Sequence, residues 1–163
     1  MSLIREGRVW KFGDDINTDL IFPNRAMRAP LSEQYKFVFS ANRPGWVDDV
    51  RDGDLIIGGK NFGMGSGRPS GRLLGECGIA GVAADSVNGL CLRNCVTYGF
   101  PALSVSGISE LFEEGERARI DYGAGEGTRG VPPDSSAAPV SGGADVGVGT
   151  VTWTVTGASA HHF

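Results

Sequence analysis

Histidine is nearly missing from this chain. Of its 163 residues only His161 and His162 are histidine, both at the extreme end. A Ser-His-Asp set for acyl transfer is therefore disfavoured. Cysteine is scarce too: Cys77, Cys91 and Cys95 make an odd number, which argues against a disulfide framework. No Cys-x-x-Cys pair occurs, so a structural zinc site lacks its ligands and any metal is expected to come from elsewhere. Cys91 and Cys95, four apart, can share a helix face and read as buried, inert thiols. No apolar run reaches membrane-spanning length. No block of five or more basic residues exists, which speaks against nucleic-acid binding through a charge patch. The first residues carry Glu6 and no long apolar stretch, so they do not read as a secretory signal. A cytoplasmic protein is the expectation.

What is present suffices for one ordinary domain: 40% hydrophobic residues and a net charge of -4 carried by charges of both signs. Gly7 to Phe12 alternates and reads as a strand. Gly13 to Asp19 is a turn-rich loop, and Leu20 to Pro23 a short apolar segment stopped by proline. Leu31 to Phe39 is expected to be helical with Ser32 as N-cap. Asn42 to Asp54 reads as a polar loop, and Asp54 to Gly58 as a buried strand. Further strands are expected over Ile79–Ala84, Phe100–Val105 and Arg117–Tyr122. A helix capped by Asp85 or Ser86 is expected to run to about Tyr98, and a short one to cover Ser109–Glu114. This alternation indicates an α/β layer fold. Composition shifts after residue 122: residues 123–149 are rich in Gly, Ser, Pro and Ala and read as loop or linker, while Val146 to Val155 alternates (Val146, Val148, Val151, Trp153, Val155) and is expected to add a strand. The expected division is residues 1–122, then 123–163 as a loop and C-terminal strand of the same domain.

The most informative stretch is Gly58 to Gly71. An apolar run, Leu55-Ile56-Ile57, leads into it and a helix leads out. Gly63, Gly65 and Gly67 leave little bulk to block a ligand from the backbone. Pro69 suits a first helical position, and a helix start favours anions. The stretch lacks G-x-x-x-x-G-K-[ST] and G-x-G-x-x-G, so it is neither a Walker loop nor a dinucleotide fingerprint. Its polar residues are Ser66 and Arg68. A serine acts as a base only if its alkoxide is stabilised, and N–H groups with Arg68 would supply the positive field. A tight strand-to-helix turn without function is the plainer alternative.

Thr18-Asp19-Leu20-Ile21-Phe22-Pro23, then Gly59-Lys60-Asn61-Phe62-Gly63-Met64-Gly65-Ser66-Gly67-Arg68, then Gly78 to Val82, then Asn94 with Gly99-Phe100-Pro101, occur in that order. Together they resemble the small subunit of 3-isopropylmalate dehydratase and the swivel domain of aconitases, over about residues 7–122. The resemblance implies a swivelling β/β/α domain, a barrel-like mixed sheet flanked by helices. It implies a hydro-lyase acting on a hydroxy di- or tricarboxylic acid such as 3-isopropylmalate. A separate large subunit would carry a [4Fe–4S] cluster, with no cluster bound by this chain, and one iron would act as Lewis acid. Ser66 matches the family's base and Arg68 its carboxylate-binding arginine. Arg28, in Ala26-Met27-Arg28-Ala29, matches the arginine of the selectivity loop. Arg25 is a further candidate, and the Gly65 and Gly67 main chain would aid the anion. Asp19 reads as a turn residue that satisfies backbone N–H groups. Asn94 and Tyr98 read as helix anchors. The family usually has Gly-Ser-Ser-Arg-Glu-His-Ala where this chain has Gly65-Ser66-Gly67-Arg68-Pro69-Ser70-Gly71. Those departures imply a divergent hydro-lyase acting on another hydroxy acid. The alternative is a non-catalytic carboxylate- or partner-binding module.

Overall fold

In a computed structural model, residues 4–122 are described with their side chains, and 126–130, 139–145 and 150–156 as backbone strands. Eight strands form a mixed sheet in the order β4-β3-β2-β1-β5-β6-β8-β7. They are β1 (Ile4–Lys11), β2 (Leu55–Gly58), β3 (Gly81–Ala84), β4 (Ala102–Ser104), β5 (Arg117–Asp121), β6 (Glu126–Gly130), β7 (Pro139–Asp145) and β8 (Thr150–Thr156). Strand β1 joins the two halves. Its end, Val9–Lys11, runs parallel to Leu55–Ile57, while its start, Ile4–Arg8, runs antiparallel to Arg117–Asp121. Strands β2, β3 and β4 continue in parallel.

The parallel half is covered on both faces, as its short apolar strands require. Side chains alternate along a strand. Ile56, Val82 and Ala84 therefore face one core, with Leu73, Leu74, Cys91 and Cys95 of the helices α3 (Ser70–Glu76) and α4 (Gly89–Thr97). Leu55, Ile57 and Ala83 face a second core, closed by Ile108 and Phe112 on and after the short helix α5 (Ile108–Leu111). Each fully buried Leu or Ile contributes roughly 1.5–3 kcal/mol.

Several expectations change. Thr18–Ile21, read as loop and apolar segment, forms a short helix, α1, capped by the Asn17 side chain on Leu20 N–H. Leu31–Phe37 is a 3₁₀ helix rather than an α-helix, and Pro30, not Ser32, precedes it. The Pro30 carbonyl accepts from Glu33 N–H, which sets the tighter winding from the start. The polar loop after Asn42 holds a turn of helix, α2 (Trp46–Asp49). It buries Trp46 edge-on against Phe39 at 4.9 Å, with Phe12 stacked on Phe39 at 4.1 Å. Asn88, not Asp85 or Ser86, caps α4. Asp85 accepts from the Ser109 N–H and hydroxyl at the start of α5 instead. Strands β6 and β7 lie within the stretch expected to be loop. Val146, Val148, His161 and His162 lie outside the described residues.

Candidate functional site

Two loops at the carboxyl end of β2 are zipped together by main-chain contacts. Residues 13–18 follow β1, and residues 59–67 follow β2. Gly59 N–H donates to Gly13 O (3.2 Å), and Lys60 N–H to Asp14 Oδ1 (2.7 Å). Asp15 N–H donates to Lys60 O (2.8 Å), Gly63 N–H to Ile16 O (2.7 Å) and Thr18 N–H to Met64 O (2.8 Å). Asp15 and Asn61 both take left-handed backbone (φ 55° and 58°) and bond each other through Asn61 Nδ2 and Asp15 Oδ1 at 3.0 Å. Asn and Asp tolerate that region better than most residues. Gly63 (φ 78°) is required twice over: a Cβ there would sit 2.3 Å from Cys91 Sγ.

This zipper fixes the glycine turn. Ser66 is exposed and its hydroxyl has no partner among the described residues. The N–H groups of Gly65, Ser66, Gly67 and Arg68 likewise have no acceptor among them. Four successive amides without an acceptor among the described residues, beside an exposed hydroxyl, are donors available to an anion.

The helix α3 does not supply the expected anion-binding end. It starts at Ser70, with Pro69 as N-cap rather than first helical residue, and its first amides are consumed. Ser70 N–H donates to Arg68 O (2.7 Å), and Gly71 N–H to Asn94 Oδ1 (3.0 Å). Asn94 thus anchors a helix, as its sequence context suggested, but the helix is α3 rather than its own. Gly71 permits this closeness, since a Cβ there would lie 2.9 Å from Cys95 Cα. The Ser70 hydroxyl is fully buried with no partner among the described residues.

Arg68 is 8% exposed. Its Nη2 donates to Asp19 Oδ1 (2.5 Å) and Asn24 Oδ1 (2.8 Å), and its Nη1 to Met27 Sδ (2.7 Å). Its Nε is buried with no partner. Asp19 is therefore the anion beside Arg68, rather than a turn residue serving the backbone. Asn24 and Met27, both on the 3₁₀ helix Asn24–Arg28, were not singled out in the sequence; they lie 44 and 41 residues from Arg68. Arg28 on the same turn is exposed, with no polar partner among the described residues. Arg25 is exposed and reaches Ser40 Oγ at 3.4 Å.

Cys91 and Cys95 are buried behind the turn, and the Cys95 thiol, hydrogen-bonded to Cys91, is pushed up further by burial. Cys77 is partly buried and raised to about 12 by burial, with a smaller push from Glu76. Among the described residues no group of three or more His, Cys, Asp or Glu is placed to hold a metal ion. No helix among them is long and apolar enough to cross a membrane.

Comparison with known proteins decides the family. Over 128 residues the chain is 39% identical to the isopropylmalate/citramalate isomerase small subunit of Methanocaldococcus jannaschii, spanning 77% of this chain and 76% of that one. The chain belongs to the 3-isopropylmalate dehydratase small-subunit family. The 3-isopropylmalate dehydratase small subunit 1 of Methanopyrus kandleri is 37% identical over 74% of this chain and 72% of its own. The homoaconitase small subunit of Methanothermobacter thermautotrophicus is 34% identical over 77% of this chain and 74% of its own. The crystal structure of 3-isopropylmalate dehydratase from M. jannaschii superposes with a TM-score of 0.68 at 31% identity, covering 72% of this chain and 71% of that one. No protein-family model matches the chain. The mixed sheet flanked by helices is thus the small-subunit, swivel-type fold that the sequence resemblance implied.

Proposed function

We propose that this chain is the small subunit of an aconitase-type hydro-lyase that isomerises a hydroxy di- or tricarboxylic acid. It would act with a large subunit that holds a [4Fe–4S] cluster. The observation that carries this reading is the exposed Ser66 hydroxyl, set among four free main-chain amides on a turn clamped by the 13–18 loop. When bound, the cluster would supply Lewis acidity for departure of the substrate hydroxyl.

The chain's own share is proton transfer and substrate grip. Ser66 Oγ removes the carbon-bound proton. The N–H groups of 65–68 stabilise its alkoxide, as pre-aimed donors do in a water-poor site. The Arg68 guanidinium adds positive field to the turn; its Nη groups are engaged and its Nε is shut off from solvent, so it acts on a substrate carboxylate through its charge rather than by the direct fork the sequence suggested. Asp19 and Asn24 hold that guanidinium in one orientation. Arg28, exposed and unpartnered, takes the distal carboxylate through its planar fork, with Arg25 beside it. The exposed apolar side chains Met27, Met64 and Leu90 surround this face and would be covered when the large subunit closes. Closure excludes water and strengthens each contact.

The test is reconstitution. The chain is purified anaerobically with its genomic large-subunit partner, and hydroxy diacids are screened for reversible alkene formation. Turnover dependent on both chains is expected. Carboxylate binding by this chain alone, with no turnover alongside any cluster-bearing partner, would favour a non-catalytic binding module.

A further inference from the structure

We infer that a cleft beside the start of the glycine loop binds a small free α-amino acid. The cleft has a volume of about 430 Å³ and is lined by Lys60, Asp85, Ser86, Ser106, Gly107 and Glu110. It opens beyond the carboxyl ends of β2, β3 and β4, where parallel α/β sheets commonly receive ligands. Neither Ser66 nor Arg68 lines it.

Its chemistry is that of a zwitterion receptor. The Lys60 ammonium and Glu110 carboxylate face one cleft, yet they pair neither with each other nor with another described residue. A ligand carrying both charges would meet a group of opposite sign on each of them. The exposed Ser106 hydroxyl also has no partner among the described residues. Asp85 adds a second carboxylate, already bonded to Ser109 N–H and Oγ. Two carboxylates against one ammonium disfavour a di- or tricarboxylate and favour a ligand with an ammonium group. The ligand's carboxylate meets Lys60 and the serine hydroxyls, and its ammonium meets Glu110. The volume leaves room for a side chain.

The cleft is wired to the glycine loop. Ser86 Oγ accepts from Asn61 N–H (2.8 Å), and Ser86 O from Phe62 N–H (3.0 Å). Occupancy therefore steadies the segment that leads to Ser66. This inference concerns a different surface from the proposed active site and does not depend on the hydro-lyase reading.

The experiment is amide-resolved NMR titration of the full chain with L-alanine and L-phenylalanine, each into the millimolar range. L-alaninamide, lacking the carboxylate, and propanoate, lacking the ammonium, serve as charge controls. We expect saturable shifts at Ser86, Ser106 and Gly107 with at least one amino acid, slowed exchange at Asn61 and Phe62, and no such response to the controls. Lys60→Met and Glu110→Gln, both at exposed unpaired side chains, each weaken binding tenfold or more, a loss of about 1.4 kcal/mol. Ser66→Ala binds as the parent chain does, so loss of the hydro-lyase reading leaves this one standing. Absence of saturable shifts, equal response to the controls, or unchanged affinity in both charge variants overturns it.

Discussion

Arg68 and Asp19, separated by 49 residues in sequence, meet in a 2.5 Å contact that locks the arginine under the glycine turn. Asn24 shares the same guanidinium nitrogen. The buried cation thus keeps an anionic neighbour at the surface edge. Its orientation is fixed before any ligand arrives.

That pairing predicts the behaviour of Asp19→Ala. Arg68 would keep Asn24 but lose its counter-charge while remaining buried. A cost of roughly 1–3 kcal/mol in denaturant-measured stability is expected, from the desolvated donor left unmet. In the reconstituted heteromer kcat/KM should fall more than this fold loss explains. Asn in place of Asp19 should recover most of the stability and only part of the activity. A variant matching the parent in both measurements would mean that Arg68 needs no such anchor.

The glycines of the turn should separate cleanly. Gly67 has no left-handed backbone, and a Cβ there would meet only Leu90 Cδ2, at an ordinary 3.7 Å. Gly67→Ser should therefore fold with a midpoint within about 0.5 kcal/mol of the parent. Gly63→Ala should be severely destabilised, because the left-handed φ and the Cys91 sulfur oppose it together. Gly65→Ala, at φ 107° and 3.1 Å from Thr18 Oγ1, should fall between. Thermal unfolding of the three variants orders them, and Gly67→Ser as the worst would refute the turn's geometry.

Ser70→Ala should be neutral or stabilising by up to about 1 kcal/mol, because it removes a fully buried hydroxyl that has no hydrogen bond. A loss of stability beyond that would reveal a partner for this hydroxyl.

Cys77 gives the chain a predicted alkaline limit. Burial, then Glu76, lifts its folded pKa from 9.0 to about 12, so the folded state prefers the neutral thiol. That preference is fully present below pH 9 and is lost as pH rises from about 9 towards 12. Stability should decline across that window in the parent and less in Cys77→Ala. At pH 8 the native thiols should react slowly with an alkylating reagent, while the denatured chain reacts at all three cysteines.

Much of this was legible in local pattern. The alternation of Val9 and the apolar run Leu55–Ile57 announced β1 and β2, and the glycine stretch marked the turn that exposes Ser66. Several of the misses depend on partners distant in sequence. Trp46 looked like loop because its burial needs Phe12 and Phe39. Asp19 looked like a turn residue because Arg68 lies 49 positions away. Asp85 looked like a cap for the helix that follows it, yet it serves Ser109, 24 positions on. The amides at the start of α3 looked free until Asn94 arrived from α4. Strands β6 and β7 were hidden by glycine-rich composition, since backbone pairing needs no apolar alternation.

The central claim rests on one oxygen, and Ser66→Ala tests it most directly. The side chain is exposed and unpartnered, so the variant should unfold within about 0.5 kcal/mol of the parent. It should also still assemble with the large subunit. With the cluster intact, turnover of the hydroxy acid should fall by roughly 10²–10⁴-fold, the span of a lost general base. Substrate affinity should change little, because Arg28 and Arg68 remain. Turnover at the parent rate in that assembled variant would contradict the assignment of Ser66 as the base.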